Sequence, residues 1–288
     1  MYSFTIYKIQ CLPITLLIYI YISSSFRRKT HTYIYIWRYL KESFLCEEPE
    51  FTYGEKSPSG PAHWGEITPE WRICSTGKSQ SPINILDGRV IISPELGRLR
   101  KEHKASVNAT LINNGHAMML QWVNGGGNLF INQTSYQLKQ CHWHSPSEHT
   151  INGRRFDLEI HLVHQTPDGK TAVIGLMYEI GLPDPFLSKL EKDIEALAHT
   201  KGIKKDVGII DPNLINLGKN PQYYRYIGSL TTPPCNENVI WTIIKKVNTV
   251  SIKQVQLLKE AIQDEAKKNA RPIQPTNNRL IKLFKPKA

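Results

Sequence analysis

From about residue 50 onward, short strand-like runs dominate the pattern of apolar and polar positions. "HAMMLQWV" (116–123), "NLFIN" (128–132), "FDLEIHLVH" (156–164), "TAVIGLMYEI" (171–180) and "VIWTII" (239–244) are rich in β-branched or aromatic residues. Turn formers bound each of them, so each predicts a strand. "NGGGN" (124–128) and "PDG" (167–169) predict hairpin turns. Helical spacing stands out in two places. "DPFLSKLEKDIEALAH" (184–199) offers Asp184 as N-cap and Pro185 at the first helical position, with Phe186, Leu190, Ile194 and Leu197 on one face. "SIKQVQLLKEAIQDEAKK" (251–268) opens on Ser251 with Gln254 three residues on, a capping-box spacing, and repeats Val255, Leu258 and Ile262 at helical intervals. The pattern predicts one mostly-β domain with a few surface helices and no second boundary after residue 50.

The first residues read differently. No residue from Ile9 to Phe26 is charged, "LPITLLIYIYI" (12–22) is nearly all apolar, and three serines follow. This predicts a cleaved, signal-peptide-like targeting segment over 1–45 and one globular domain over 46–288. The same stretch is just long enough to span a bilayer, so a membrane anchor is the outcome if cleavage does not occur. Arg27–Lys29 fit a cleaved signal poorly, and "YIYIW" (33–37) matches no pattern.

Composition adds a few limits. With 288 residues, 40% hydrophobic and 21% charged, a sizeable core is within reach. The formal charge of +11 raises the question of nucleic acid, but residues 1–46 hold six basic residues against one acid, a net +5, leaving +6 for the rest. Those remaining basic residues are scattered and not interleaved with aromatics, which reads as a solvated surface with no nucleic-acid partner. Of the five cysteines, Cys11 lies in the leader. Acceptor triplets for glycosylation occur at Asn108 ("NAT") and Asn132 ("NQT"); with the leader they favour the secretory route.

The densest chemistry lies in "QCHWHSPSEH" (140–149). On a strand, residues two apart share a face, so His142 and His144 sit side by side while Trp143 points away. That is a layout for two ligands of one metal ion; the plainer reading is two half-exposed histidines on a polar face. His161 in "LEIHLVH" is the third candidate. His164 points the other way and reads as a core or supporting histidine. Three neutral imidazoles with one open position make a catalytic zinc site, an arrangement for which carbonic anhydrase is the standard example. Gln140 and Glu159 each precede a candidate ligand by two residues on the same face, where they can orient its second nitrogen. The plainer reading makes Glu159 a solvated strand glutamate.

"GPAHWGE", "QSPINI", "NNGHA", "CHWHSPSEH", "LEIHLVH", "GSLTTPPC" and "NARPIQPTNNR" occur together and in order. They resemble the α-class carbonic anhydrases, nearest to the plant branch, over roughly residues 51–286. The resemblance implies a central twisted, largely antiparallel sheet of about ten strands with a few short helices. It implies one zinc ion per chain at the bottom of a cleft, and reversible hydration of carbon dioxide to bicarbonate and a proton by zinc-bound hydroxide. By motif, His142, His144 and His161 match the zinc ligands. Thr231 matches the threonine that orients the hydroxide, Glu148 the acceptor of that threonine's hydrogen, and His116 the proton shuttle to buffer. Thr232 matches a residue lining the bicarbonate site, and Gln140 and Glu159 the partners already proposed. Val163, Val173, Leu230, Val239 and Trp241 match the apolar wall for carbon dioxide; ordinary core is the plainer reading of those five. Cys74 and Cys235 match a pair that many secreted relatives bridge, leaving Cys141 a buried free thiol and Cys46 in a tail. Met119 stands where many relatives carry a polar residue that orders cleft water, and Tyr53 lies near a cleft tyrosine of the family.

Two other classes compete. A catalytically silent relative acting as a binding or storage protein is disfavoured because all three histidines, Thr231 and Glu148 are present. A zinc peptidase would want a helical H-E-x-x-H, which the chain lacks. The compartment stays open between the extracellular apoplast and the plastid stroma, both reached through the secretory route.

Overall fold

The computed structural model describes residues 49–262 and 267–286. The leader with its cleavage or anchoring, Cys11, Cys46 and "YIYIW" fall outside these residues, as does the 263–266 part of the second expected helix.

In chain order the described strands are β1 (Asn84–Ile85), β2 (Ile91–Ile92), β3 (Arg100–His103), β4 (Asn108–Asn113), β5 (Met118–Trp122), β6 (Gly127–Ile131), β7 (Thr134–His144), β8 (Thr150–Ile151), β9 (Arg154–Arg155), β10 (Leu158–Gln165), β11 (Thr171–Ile180), β12 (Lys204–Ile209), β13 (Tyr223–Ser229), β14 (Glu237–Ile244), β15 (Asn248–Val250) and β16 (Lys282–Phe284). Among the described residues, thirteen of them form one mixed sheet, whose main path of ten runs β12-β4-β5-β7-β10-β11-β14-β13-β16-β2. Pairing is antiparallel except at β11–β14, β11–β15 and β16–β2. The small β1-β8-β9 sheet stands apart.

The two faces of this sheet carry two cores, and alternation assigns residues to them. On β10, Leu158, Ile160 and Leu162 join a core with Cys141, Trp143, Phe186, Leu190 and Ile194. On β11, Val173 and Met177 face the other way, with Tyr226, Val239, Trp241 and Ile243. Central strands are covered on both sides, so β10 is buried almost throughout. Glu159, His161 and Val163 project toward the second core, where a charged or polar side chain needs a partner.

The first expected helix spans Pro185–Leu197, with the Asp184 carboxylate accepting from the Leu187 N–H at 2.8 Å. The second spans Ile252–Glu260 and has the full capping box between Ser251 and Gln254. The Gln254 amide joins the two helix starts, accepting from the Asp184 N–H at 2.8 Å and donating to the Asp184 carbonyl at 3.0 Å.

"PDG" closes the β10–β11 hairpin as expected, with Gly169 at φ 86°. "NGGGN" does not make a hairpin. β5 and β6 do not pair with each other; both pair with the eleven-residue β7, one after the other along its length. The glycines turn a corner while keeping the chain on the same edge of β7. Gly127 (φ 107°) is required there, because a Cβ would lie 2.3 Å from the Glu102 carbonyl oxygen. The true hairpin follows at Asn132-Gln133, both at positive φ, between Ile131 and Thr134.

Candidate metal centre

The antiparallel register of β7 and β10 sets His142 opposite His161 and His144 opposite Glu159. The three imidazoles gather on one face, with ring centroids 5.0 Å apart for His142–His144, 5.2 Å for His142–His161 and 4.5 Å for His144–His161. Trp143, between the first two, points into the opposite core against Phe186.

One nitrogen of each ring is already held. His142 Nδ1 donates to Gln140 Oε1 at 2.9 Å, His144 Nδ1 to the Asn269 carbonyl at 2.6 Å, and His161 Nε2 to Glu159 Oε1 at 2.8 Å. Such bonds fix the tautomer, leaving Nε2 of His142, Nε2 of His144 and Nδ1 of His161 as lone-pair donors. A ligand atom from each histidine lies within 4.8 Å of the others. His144 Nε2 is buried with no hydrogen-bond partner. Burial holds all three rings neutral: it pushes His144 down to about 4 and His142 well below its ordinary value, and it lowers His161. Three neutral, preoriented imidazole nitrogens around an unsatisfied point are the donor set that zinc takes.

His149, Glu159 and His161 also cluster closely. Hydrogen bonds account for that cluster, since Glu159 Oε1 accepts from His149 Nδ1 at 2.7 Å as well as from His161. Glu159 Oε2 accepts the backbone N–H groups of Glu148 and His149, each at 2.8 Å. The fully buried Glu159 carboxylate therefore stays ionised: burial raises its pKa, but the adjacent histidines and these donors outweigh it and hold it well below the usual range. It is not a solvated strand glutamate.

Glu148 is fully buried beside the imidazoles, with Oε2 3.6 Å from His144 Nε2 and 3.9 Å from His161 Nδ1. Its Oε1 accepts from the Arg271 backbone N–H at 2.8 Å. Burial pushes this carboxyl up to about 7, opposed by His161, the Thr231 hydroxyl and the Arg271 N–H. A cation at the three imidazoles adds to the opposing side and favours the carboxylate. Oε2 has no well-formed hydrogen bond of its own.

Thr231 follows β13 on a loop that the Cys74–Cys235 disulfide pins, with Cα atoms 5.0 Å apart. The Cys235 N–H donates to the Thr232 carbonyl at 2.8 Å. Val173, Val239 and Trp241 pack together as one buried cluster with Val163 and Leu230 against it. The Trp241 and His161 ring centroids are 4.8 Å apart. His116 is half-buried and stacks on Phe51 at 4.0 Å between ring centroids, and its carbonyl accepts from Asn269 Nδ2 at 2.9 Å. Met119 sits opposite His142 in the β5–β7 register. Tyr53 is buried beside Trp64, Cys141 is a buried free thiol, and Asn108 and Asn132 are both exposed.

The sequence reading gave no role to Asn269, Arg271, His149 or Tyr226. Tyr226 OH lies 2.6 Å from His149 Nε2 and 2.8 Å from Ser81 Oγ. His149 and "NAR" (269–271) lie inside the motif blocks, but the His144–Asn269 bond joins residues 125 positions apart, which no local pattern reveals.

Comparison with known proteins gives a consistent result. The profile of the family described as eukaryotic-type carbonic anhydrase matches residues 59–285. The chain is 50% identical over 240 residues to alpha carbonic anhydrase 7 of Arabidopsis thaliana, covering 83% of this chain and 86% of that one. It is similar to a crystal structure of dioscorin complexed with ascorbate (TM-score 0.79, 46% identity, 82% of this chain and 98% of that one). It is also similar to the α-carbonic anhydrase of Thermovibrio ammonificans in complex with the inhibitor sulfanilamide (TM-score 0.74, 34% identity, 82% and 99% covered).

Proposed function

This chain belongs to the eukaryotic-type carbonic anhydrase family, and on that premise we propose that it hydrates carbon dioxide reversibly to bicarbonate and a proton, with one zinc ion held by His142, His144 and His161. The observation that carries the reading is the convergence of three neutral imidazoles around the buried, unpartnered Nε2 of His144. When bound, zinc lowers the pKa of a coordinated water from 15.7 to about 7, a value known from carbonic anhydrase itself.

The chain's own residues do the rest. An ionised Glu148 only accepts, so the Thr231 hydroxyl must donate to it, and the Thr231 oxygen is left to accept a hydrogen from the reacting oxygen. That turns a lone pair toward the substrate. Carbon dioxide is apolar, and Val163, Val173, Leu230, Val239 and Trp241 offer it a wall that excludes water. Thr232 lines the place of bicarbonate. His116 takes the released proton to buffer, since an imidazole can both accept and give up a proton.

A catalytically silent binding protein on the same fold is the second reading, supported by the similarity to dioscorin solved with ascorbate. The retained Thr231 and Glu148, which a pure binding role does not require, weigh against it. A disulfide is typical of oxidising compartments, which supports the secretory route toward the apoplast or plastid stroma. The two functional readings separate in one assay of carbon dioxide hydration by zinc-loaded and chelator-stripped protein. Hydration present only in the loaded sample supports catalysis, and none in either supports binding.

A further inference from the structure

Arg271 is a buried charge that the proposed reaction leaves without a task. It is 1% exposed, and its guanidinium spends its donors on neutral oxygens. Nη1 donates to Gln80 Oε1 and to the Ser81 carbonyl, each at 2.8 Å, and Nη2 to the Cys74 carbonyl at 2.8 Å. Nε is buried without a partner, and the guanidinium carbon lies 5.6 Å from the Trp64 ring centroid. The nearby Glu148 carboxylate offsets part of the burial, but a guanidinium whose hydrogen bonds all go to neutral acceptors is still costly, and an apolar side chain fills such a volume more cheaply. Core filling alone therefore does not account for an arginine here.

Its contacts form a closed circuit that runs through the site. The Arg271 backbone N–H holds Glu148 Oε1, and Glu148 interacts with Thr231. Cys235, four residues after Thr231, is bonded to Cys74, whose carbonyl the Arg271 fork grips. Gln80 closes a second arm, accepting from Arg271 and donating to the Cys235 carbonyl at 3.1 Å. We propose that Arg271 is a positioning residue: its guanidinium clamps the disulfide-bridged segments to the backbone that holds Glu148, so that Glu148 and Thr231 keep one relative orientation. This rests on the carbon dioxide hydration reading. A lysine is no substitute, because an ammonium cannot span three oxygens in the planar geometry of the fork.

The test uses full-length, zinc-loaded Arg271→Lys, alone and combined with Cys74→Ser/Cys235→Ser. Misplacement of a catalytic group through a remote contact lowers kcat by about tenfold or more. We expect that loss with KM nearly unchanged and zinc content equal to wild type, because the zinc-binding rings are held by Gln140, Asn269 and Glu159. Hydrogen exchange of the 269–273 backbone in metal-free protein should quicken in Arg271→Lys. Because both changes cut one circuit, the combined kcat loss should be smaller than the product of the separate losses. Wild-type kcat with unaltered exchange in Arg271→Lys overturns the proposal, and so do strictly multiplicative losses. Should Arg271→Lys fail to fold, Gln80→Ala, which cuts the arm to Cys235, carries the same readouts. A wild type inert toward carbon dioxide removes the proposed function instead, and the exchange comparison alone then decides the role of Arg271.

Discussion

His144 donates its Nδ1 hydrogen to the backbone carbonyl of Asn269, 2.6 Å away and 125 residues further along the chain. That bond turns the other nitrogen of the ring into the site and keeps it a lone pair. Purified protein should therefore carry about one zinc per chain, and His144→Ala should lose tight binding while keeping its fold, since the two cores do not depend on the ion. Glu159→Gln should fall between them, about 10–100-fold weaker, in line with the loss of such ligand-orienting carboxylates. Metal analysis after dialysis against a chelator checks both, and full occupancy in His144→Ala contradicts the ligand assignment.

The Cys74–Cys235 bridge closes a separation of 161 residues. Chain entropy allows it at most about 5 kcal/mol of stabilisation. Cys74→Ser/Cys235→Ser should unfold at a clearly lower urea concentration than the oxidised wild type. Equal midpoints would mean that the bridge adds nothing.

The histidine-bearing face was legible in the sequence because period-two alternation on a strand is a local property. It put His142 beside His144, sent Trp143 away, and set Gln140 and Glu159 on the faces where they hydrogen-bond His142 and His161. The resemblance supplied Thr231, Glu148 and the cysteine pair, which alternation alone does not. Two things stayed hidden because they depend on distant pairing. "NGGGN" looks like a hairpin locally, and only the length of β7 makes it a corner. The long-range roles of Asn269 and Arg271 come from a segment that crosses the site after most of the sheet is complete. β12 is an exposed edge strand beginning "KKD", without the apolar alternation that marks buried strands.

His116 stacks flat on Phe51, 4.0 Å away between ring centroids, and its carbonyl is tied to Asn269. Its removal should break proton export and little else. His116→Ala should keep its zinc, and in weak buffer its steady-state turnover should fall about 10-fold or more, the usual scale of a positioned acid–base group. Added imidazole should restore much of the loss. Met119, apolar and opposite His142, should make the drop smaller than a polar residue there would. Turnover equal to wild type at low buffer would show that protons leave by another path.

On the other core, His164 Nε2 lies 3.4 Å from His103 Nε2. Burial pushes His164 down to about 3 and His103 down to about 4, with further lowering from His103 on the former and Lys101 on the latter. Their folded values are depressed, so the native state favours the neutral rings. The stability they contribute is complete above the ordinary value near 6.5 and is lost as pH falls toward about 4. Urea midpoints measured from pH 7 to pH 4 should fall steeply in wild type and more gently in His164→Gln, whatever the starting stability of that variant. Parallel slopes would remove the pair as a source of acid sensitivity.

The most direct test of the whole account is the initial rate of carbon dioxide hydration per bound zinc, followed by stopped flow with a pH indicator, in wild type and Thr231→Val side by side. Thr231 interacts with Glu148, while Gln140, Asn269 and Glu159 hold the three imidazoles, so its loss should leave zinc content unchanged. The expected outcome is a wild-type rate far above the buffer background and a fall of roughly 100-fold or more in Thr231→Val, the scale of losing one oriented hydrogen bond in a catalytic site. A wild type no faster than buffer, or a Thr231→Val variant as fast as wild type, would contradict it.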